Sequence, residues 1–166
     1  MNFRIRPITP ADDAAMAAIV RASLREHGLD LPGTAYFDPE LDHLSTFYDA
    51  DTRRAYFVAV DDEGTVVGGC GVAEVGGSSD TAEMQKIYVA PEARGHGLAH
   101  RLIAEAERFA HRAGYRRLYL ETHHNLQAAV RLYRALGWQT LDGPLPGSIH
   151  STMDIFMSKG LGPATA

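Results

Sequence analysis

The residues best suited to chemistry lie in one stretch, from Glu83 to Ala99, where a predicted strand, a glycine-containing turn and a helix follow one another. The first backbone N–H groups of a helix are unpaired, and the helix dipole favours negative charge at that end. Gly95 and Gly97 let an anion approach the backbone closely, because glycine carries no Cβ atom. The stretch therefore predicts a site for a phosphate group and leaves the ligand open.

The composition restricts what that phosphate belongs to. The chain has 166 residues, a formal net charge of -5 and 45% hydrophobic residues. An acidic chain without a long basic cluster argues against a nucleic-acid-binding protein. Cys70 is the single cysteine, which excludes an internal disulfide and fits a reducing compartment. We expect Cys70 to be a small buried side chain and not a nucleophile. No signal peptide and no apolar run of ~20 residues is evident, so we expect a cytoplasmic protein that binds no membrane.

The hydrophobic pattern predicts elements in the order β-α-α-β-β-β-α-β-α-β-β. This order indicates an α/β (α+β) fold with a mixed, mostly antiparallel sheet of about seven strands flanked by helices. No linker divides the chain, so we expect one domain over residues 1–160 and a C-terminal tail over 161–166. Gly68, Gly69 and Gly71 interrupt the third strand, which predicts a bulge or a close backbone approach there.

Two segments of the sequence match known motifs. The segment Arg94-Gly95-His96-Gly97-Leu98-Ala99 fits the pattern (Gln/Arg)-x-x-Gly-x-(Gly/Ala), and the segment from Ala129 to Trp138 resembles the pattern Ala-(Ile/Val)-x-Leu-Tyr-x-x-Leu-Gly-(Phe/Trp). These patterns are similar to the cofactor loop and a later helix of the GNAT superfamily of acyl-coenzyme A-dependent N-acetyltransferases, in its bacterial small-molecule and peptide branch. The order of elements also matches, so the resemblance covers essentially the whole chain.

The resemblance implies a site for acetyl-coenzyme A (acetyl-CoA) as the acyl donor. The glycine turn would hold the pyrophosphate on backbone N–H groups. The edge of the preceding strand would pair with the pantetheine arm, in a sheet that splits after Val89. A backbone N–H near Ile87 would polarise the thioester carbonyl, as an oxyanion hole does. The implied cofactor-binding residues are Ile87, Tyr88, Val89, Arg94, Gly95, His96, Gly97, Leu98, Ala99 and His100.

The resemblance also implies two catalytic residues. Tyr133 matches a position where relatives place a phenol beside the departing sulfur, and it would act as a general acid. It could equally be a core aromatic residue. Glu83 matches a base position in some members, and the period of a strand turns it to the same face as Ile87. A solvent-facing or ion-paired role is the alternative for Glu83. Glu74 and Glu121 are reserve candidates for the base.

Four further positions carry weaker predictions. Asn125 lies one residue before the asparagine position of many relatives, so it is interpreted as the N-cap of the next helix. His150 loosely resembles a Gly-His element of some relatives and is a candidate substrate residue together with Glu74. His123 and His124 lie near Glu121, but adjacent strand residues diverge and no third ligand is evident, so no metal is expected.

The sequence therefore predicts transfer of an acetyl group from acetyl-CoA to a primary amine of a small molecule or peptide, by direct attack in a ternary complex. One alternative is a catalytically inactive acyl-CoA-binding sensor of the same fold, and another is a nucleotide-binding domain that shares only the glycine turn. The acceptor pocket is expected to come from residues 29–52, the β-hairpin and residues 142–150. Acidic residues in the first of these segments suit a cationic acceptor. The oligomeric state stays open, with a homodimer as one option.

Overall fold

A computed structural model describes residues 1–163 of the chain. Within them, the helices and strands follow one another in the predicted order. The elements are β1 (Arg4–Pro7), α1 (Asp13–Glu26), α2 (Leu44–Asp49), β2 (Ala55–Val60), β3 (Val66–Glu74), β4 (Thr81–Val89), α3 (Leu98–Arg112), β5 (Arg117–Thr122), α4 (Gln127–Ala135), β6 (Gln139–Thr140) and β7 (Ile155–Gly160). The predicted α/β (α+β) fold class is thus confirmed.

The strands form one seven-stranded sheet in the order β1-β2-β3-β4-β5-β7-β6. Every neighbouring pair is antiparallel except β4 and β5, which are parallel. The sheet separates two apolar clusters. One cluster contains the buried residues of α3 together with Tyr133 and Trp138, and the other contains the buried residues of α1 and α2. Helices therefore cover both faces of the sheet, as the sequence predicts.

The parallel pair β4 and β5 separates after a short common segment. Only Thr81 to Glu83 pair with Arg117 to Tyr119. The prediction that the sheet splits after Val89 was therefore wrong, because the strands already part at Glu83. The rest of β4 has no strand beside it on that side within residues 1–163, so its backbone edge opens onto a cleft.

A β-bulge lies in the same open part of β4. The register with β3 pairs Gly71 with Gln85 but Gly69 with Tyr88, so Lys86 and Ile87 together lie opposite a single residue of β3. Lys86 has a φ of 49°, which is rare for a residue with a side chain. A bulge bends its strand, which accounts for the early departure of β4 from β5.

The bulge also overturns the predicted facing of Glu83 and Ile87. The extra residue reverses the alternation of side chains, since a strand repeats every two residues. Ile87 packs against the cluster that contains Met84, whereas Glu83 bonds to Gln85 on the opposite face. The two residues do not share a face of the sheet, because the strand period is interrupted at Lys86.

Two other element boundaries differ from the predictions. The spacing of Leu41, Leu44 and Phe47 predicts one short helix over residues 38–48, but the structure has a 3-10 turn, Leu41–His43, followed by α2. Helix α4 begins after Leu126, and the side chain of Asn125 donates to the carbonyl of His27 at 3.0 Å instead of capping the helix. The predicted tail, 161–166, lies partly outside the described residues. Within residues 1–163, no helix combines the length and apolarity that a membrane crossing requires.

Candidate active site

The open edge of β4 borders a cleft that we call the donor cleft. It consists of two adjoining cavities of about 420 Å³ and 210 Å³, whose linings share Ile87, Tyr88, Arg94 and Tyr133. Ala128 and Ala129 of α4 form the wall opposite β4. A strand edge on one side and a helix face on the other leave room for an extended chain that could bond to the unpaired backbone of β4.

The glycine turn closes one end of the donor cleft. Gly95 and Gly97 have φ values of +80° and +71°, a conformation that favours glycine, and a Cβ atom built on either would meet nothing within 4 Å. Gly97 immediately precedes α3, so the unpaired N–H groups of that helix begin beside it. Gly95, Gly97, Leu98, Ala99 and His100 all line the 420 Å³ cavity. This arrangement fits a pyrophosphate bound by backbone N–H groups.

Two predicted cofactor-binding side chains have other partners. The Arg94 guanidinium bonds to the Glu26 carboxylate at 2.9 Å and to the carbonyl of Val89 at 3.0 Å, which ties the turn to α1 and β4. The ring of His96 lies 5.7 Å from that of Phe3 and does not line the cleft. An anion bound at this turn would therefore meet backbone N–H groups, while Arg94 ties the turn to α1 and β4.

Tyr133 lies between the two cavities of the donor cleft and is 5% exposed. Burial raises the pKa of its phenol, so the hydroxyl stays protonated at neutral pH and can donate a hydrogen bond or a proton into the cleft. Cys70, in contrast, is fully buried in β3, and burial raises its pKa, so it remains a thiol and is unsuited to nucleophilic attack.

A separate cavity, which we call the acidic cavity, lies beyond the donor cleft and measures about 150 Å³. Segments distant in the chain bring five carboxylates, one ammonium group and one imidazole to its wall. These residues are Asp38, Glu40, Glu74, Glu83, Glu121, Lys86 and His150. A narrower space of about 40 Å³, also lined by Glu83, Lys86, Glu121 and His150, leads from it towards Met84 and Tyr88 of the donor cleft.

Glu83 lies where the acidic cavity leads into the donor cleft. Its carboxylate accepts a hydrogen bond from Gln85 at 2.6 Å, and Tyr48 in turn donates to the Gln85 amide oxygen at 2.6 Å. Burial raises the pKa of Glu83; the bond from Gln85 opposes this, and the charge of Glu121 reinforces it. A held carboxylate with a raised pKa is suited to accept a proton at neutral pH.

The two reserve carboxylates are held differently. Arg54 bonds to Glu74 at 2.9 Å and lowers its pKa, which makes Glu74 a weaker base than Glu83. Glu121 accepts a hydrogen bond from the Tyr119 hydroxyl at 2.6 Å, and that hydroxyl also accepts the N–H of Leu145 at 3.1 Å. Of the three carboxylates, Glu83 has the environment best suited to a base.

Sequence reasoning missed the roles of Asp38 and Lys86. The Lys86 side chain is 3% exposed, and its ammonium lies 2.7 Å from Asp38 and 3.4 Å from Glu40. His150 bonds to the same Asp38 carboxylate at 2.8 Å. Burial opposes the charge of Asp38, yet His150 and Lys86 lower its pKa. Burial likewise opposes protonation of His150, but the Asp38 bond raises its pKa. Only the acidity of the segment around Asp38 hinted at this network.

The predicted divergence of His123 and His124 was wrong. Their rings lie 4.2 Å apart, and Asp154 provides the third group that the sequence did not indicate. Asp154 bonds to the His124 ring and accepts the His124 N–H at 3.0 Å, while the N–H of Asn125 donates to Nδ1 of His123 at 3.1 Å. An Nδ1 that accepts a bond leaves the ring proton on Nε2, the atom that would face a metal. The group therefore fits a hydrogen-bonded junction better than a metal site.

Comparisons with known proteins agree with this geometry. Residues 20–138 match the model of the acetyltransferase (GNAT) family. The uncharacterized N-acetyltransferase YjgM of Escherichia coli is 39% identical over 159 residues, which cover 95% of this chain and 94% of that protein. The IAA acetyltransferase of Azospirillum brasilense is 32% identical over 118 residues, or 71% and 74% of the two chains.

Solved structures share the fold. An acetyltransferase of the GNAT family from Staphylococcus aureus superposes with a TM-score of 0.86 at 15% identity, over 97% of this chain and all of that one. The acetyltransferase yncA from Salmonella typhimurium, solved with its cofactor acetyl-CoA, superposes with a TM-score of 0.74 at 23% identity, over 100% and 98%. Sequence and fold agree, and this chain belongs to the GNAT family of acetyltransferases.

Proposed function

We propose that the protein transfers an acetyl group from acetyl-CoA to a primary amine of a small molecule or peptide, by direct attack in a ternary complex. The observation that carries the proposal is the position of Glu83. A carboxylate with a raised pKa lies where the acidic cavity leads into the donor cleft, which is where an acceptor amine must lose a proton.

Acetyl-CoA supplies an activated thioester, and the residues of the chain would bind and orient it. Gly95, Gly97 and the start of α3 would hold the pyrophosphate on N–H groups, and the open edge of β4 would bond to the pantetheine amides. Ile87 lines both parts of the donor cleft, so its N–H is the candidate donor to the thioester carbonyl oxygen.

Two side chains would move the protons. Glu83 takes a proton from the ammonium form of the acceptor, directly or through a water molecule, because an amine attacks only with a free lone pair. The amine then adds to the thioester carbon, and the tetrahedral intermediate expels the sulfur as the carbon–sulfur bond breaks. Tyr133 donates its proton to that sulfur, and the second proton of the attacking nitrogen passes to the Tyr133 phenolate or to water. The acidic cavity would attract a positively charged acceptor, which brings an ammonium group towards Glu83.

A screen of amines with acetyl-CoA, read as release of free thiol, tests the proposal. We expect release with cationic primary amines and little with carboxylate-bearing ones of similar size. Binding of acetyl-CoA without thiol release across the panel would favour a sensor of the same fold. Thermal stabilisation by nucleotides and not by acetyl-CoA would favour a nucleotide-binding domain.

A further inference from the structure

Tyr56 makes an unusual contact across the sheet. Its ring begins on β2, yet its hydroxyl donates a buried hydrogen bond of 2.7 Å to the carbonyl oxygen of Lys86 on β4. Strand β3 lies between them, and two of its glycines leave the necessary space. A Cβ atom at Gly69 or Gly71 would lie 2.5 Å or 2.7 Å from the ring of Tyr56. The sequence predicts a close approach to the backbone of this glycine-rich strand, and the group that approaches it is the ring of Tyr56.

The bond fixes the orientation of one peptide group. The peptide that joins Lys86 to Ile87 is trans, as are all peptide bonds of the described residues, so its carbonyl and N–H point in opposite directions. Tyr56 reaches the carbonyl from the β3 side of β4. The Ile87 N–H consequently points to the β5 side, where the strands have separated and the donor cleft begins.

The bulge needs to be held because its conformation is costly. A residue with a side chain in the left-handed region costs roughly 1–2 kcal/mol, and such strain persists only where surrounding contacts oppose relaxation. Lys86 is fixed at two points: its carbonyl by Tyr56, and its ammonium by Asp38 at 2.7 Å and Glu40 at 3.4 Å. The carbonyl contact acts directly on the peptide that carries the Ile87 N–H.

We propose that Tyr56 is a positioning residue, which holds the Ile87 N–H towards the thioester carbonyl oxygen of bound acetyl-CoA. The proposal rests on the function proposed above. Tyr56 lies in the apolar cluster that packs under α1 and does not line either part of the donor cleft. It acts on the reaction only through the backbone of β4.

The test compares Tyr56→Phe with a matched variant, Tyr115→Phe. Tyr115 is also 2% exposed, and its hydroxyl also donates to a backbone carbonyl, that of Arg53 at 3.1 Å. Each substitution keeps the ring and removes one tyrosine–carbonyl bond, at a similar cost of about 1 kcal/mol in folding stability. Only Tyr56 is connected to the peptide beside the cleft.

Isotope-edited infrared spectroscopy of bound acetyl-CoA, carrying ¹³C at the thioester carbonyl, reads the hydrogen bond without any acceptor. We expect a lower carbonyl frequency in the wild type than in free acetyl-CoA, a return towards the free value in Tyr56→Phe, and no return in Tyr115→Phe. With an active acceptor, kcat of Tyr56→Phe should fall about tenfold at an unchanged KM for acetyl-CoA, part of the ~10²–10³ that loss of such a donor costs.

A wild-type frequency equal to the free value, or equal shifts in wild type and Tyr56→Phe, would overturn the proposal. Equal losses of kcat in both variants would assign Tyr56 a purely structural role. Should Tyr56→Phe fail to fold, NMR spectra of the wild type labelled with ¹⁵N-isoleucine test the proposal instead. The Ile87 amide signal must change its chemical shift when acetyl-CoA replaces coenzyme A, and an unchanged signal would overturn the proposal. A wild type that binds acetyl-CoA with the lowered frequency but acetylates no amine refutes the proposed function and leaves the role of Tyr56 intact. A wild type that binds no acetyl-CoA refutes both.

Discussion

The donor cleft and the acidic cavity are built by opposite means. The donor cleft takes both its strand edge and its glycine turn from one continuous stretch, residues 87–100, which faces α4 across the cleft. The groups proposed to bind the ligand there are backbone groups and two glycines. The acidic cavity collects charged side chains from β3, β4, β5 and two irregular segments, around Asp38 and around His150. The difference suggests that donor binding depends on backbone shape and tolerates changes of side chain, whereas acceptor binding depends on side-chain charge.

The largest effect is expected at the point where the two regions meet. Glu83→Gln should lower kcat by about 10²–10⁴-fold, the usual contribution of a general base, with the acetyl-CoA dissociation constant nearly unchanged. The pKa of Glu83 is raised, so wild-type activity should rise with pH as the carboxyl loses its proton, above the ordinary range of a glutamate. The variant should lack that rise. Glu63→Gln, on an exposed turn, is the control, and an unchanged pH–rate profile in Glu83→Gln would reject the assignment.

The folding stability of the protein should depend strongly on the buried charge network of the acidic cavity. Asp38→Asn leaves the Lys86 ammonium buried with only the more distant Glu40, and should cost about 3–5 kcal/mol in the free energy of unfolding. The pKa of Asp38 is lowered in the fold, so its stabilisation is present above the ordinary aspartate range and is lost as pH falls through the lowered value. Urea denaturation from neutral to acidic pH measures both effects.

Asp42→Asn is the matched control for that variant. Asp42 also pairs with a cation, Arg21 at 2.7 Å, but its side chain is 60% exposed. We expect a loss of less than about 1 kcal/mol. Equal losses in the two variants would contradict the idea that burial makes the Asp38 network fragile.

Tyr133→Phe tests the side chain of the donor cleft that is proposed to protonate the departing sulfur. We expect kcat to fall by about 10²-fold, the lower end for a general acid, because water can also protonate a departing thiolate. Binding of acetyl-CoA, measured by calorimetry, should not weaken. A large loss of affinity would make Tyr133 a structural part of the cleft, and Tyr36→Phe, outside both regions, serves as the reference.

The backbone character of the donor cleft is tested by Gly97→Ala. The added Cβ atom lies in open space at a φ of +71°, where the pyrophosphate would approach, so acetyl-CoA binding should weaken roughly tenfold. Gly64→Ala in the β2–β3 turn, at a φ of +85° and also in open space, shares the backbone strain of about 1–2 kcal/mol. Equal acetyl-CoA affinity in both variants would mean that the turn does not contact the ligand.

The smallest effect is expected from Arg94→Gln. Its guanidinium pairs with Glu26, and both side chains are more than a third exposed, so the pair is worth less than about 1 kcal/mol. Acetyl-CoA affinity should therefore fall by less than about fivefold. A loss as large as that of Gly97→Ala would show that a side chain, and not only the backbone, holds the anion.

The same contrast explains how far the sequence could predict the molecule. Gly95 and Gly97 could be assigned to an anion-binding turn because a positive φ is a local demand that glycine meets. The element order followed from hydrophobic period. The bulge at Lys86 could not be predicted, since a lysine with a φ of 49° is held by distant partners and has no local signature. That bulge also reversed the facing of Ile87, which strand period alone assigned wrongly.

In the sequence, only the local composition indicated the acidic cavity. An acidic segment around Asp38 suggested a cationic acceptor, but the sequence did not connect it with Lys86 or His150. Contacts between segments far apart in the chain depend on the fold as a whole. The glycines of β3 were an intermediate case, because a close approach was predicted and confirmed, while its occupant, Tyr56, had to be seen in the structure.

The early separation of β4 from β5 has a thermodynamic consequence. Only three residue pairs join these strands, so the two halves of the sheet share little backbone bonding. A ligand whose extended arm bonds along β4 would serve as a replaceable strand and bind only the folded chain. Such linkage adds about 2.7 kcal/mol to folding stability at a ligand concentration one hundred times the dissociation constant. We therefore expect the lifetime of the protein against proteolysis to follow the supply of its acyl donor.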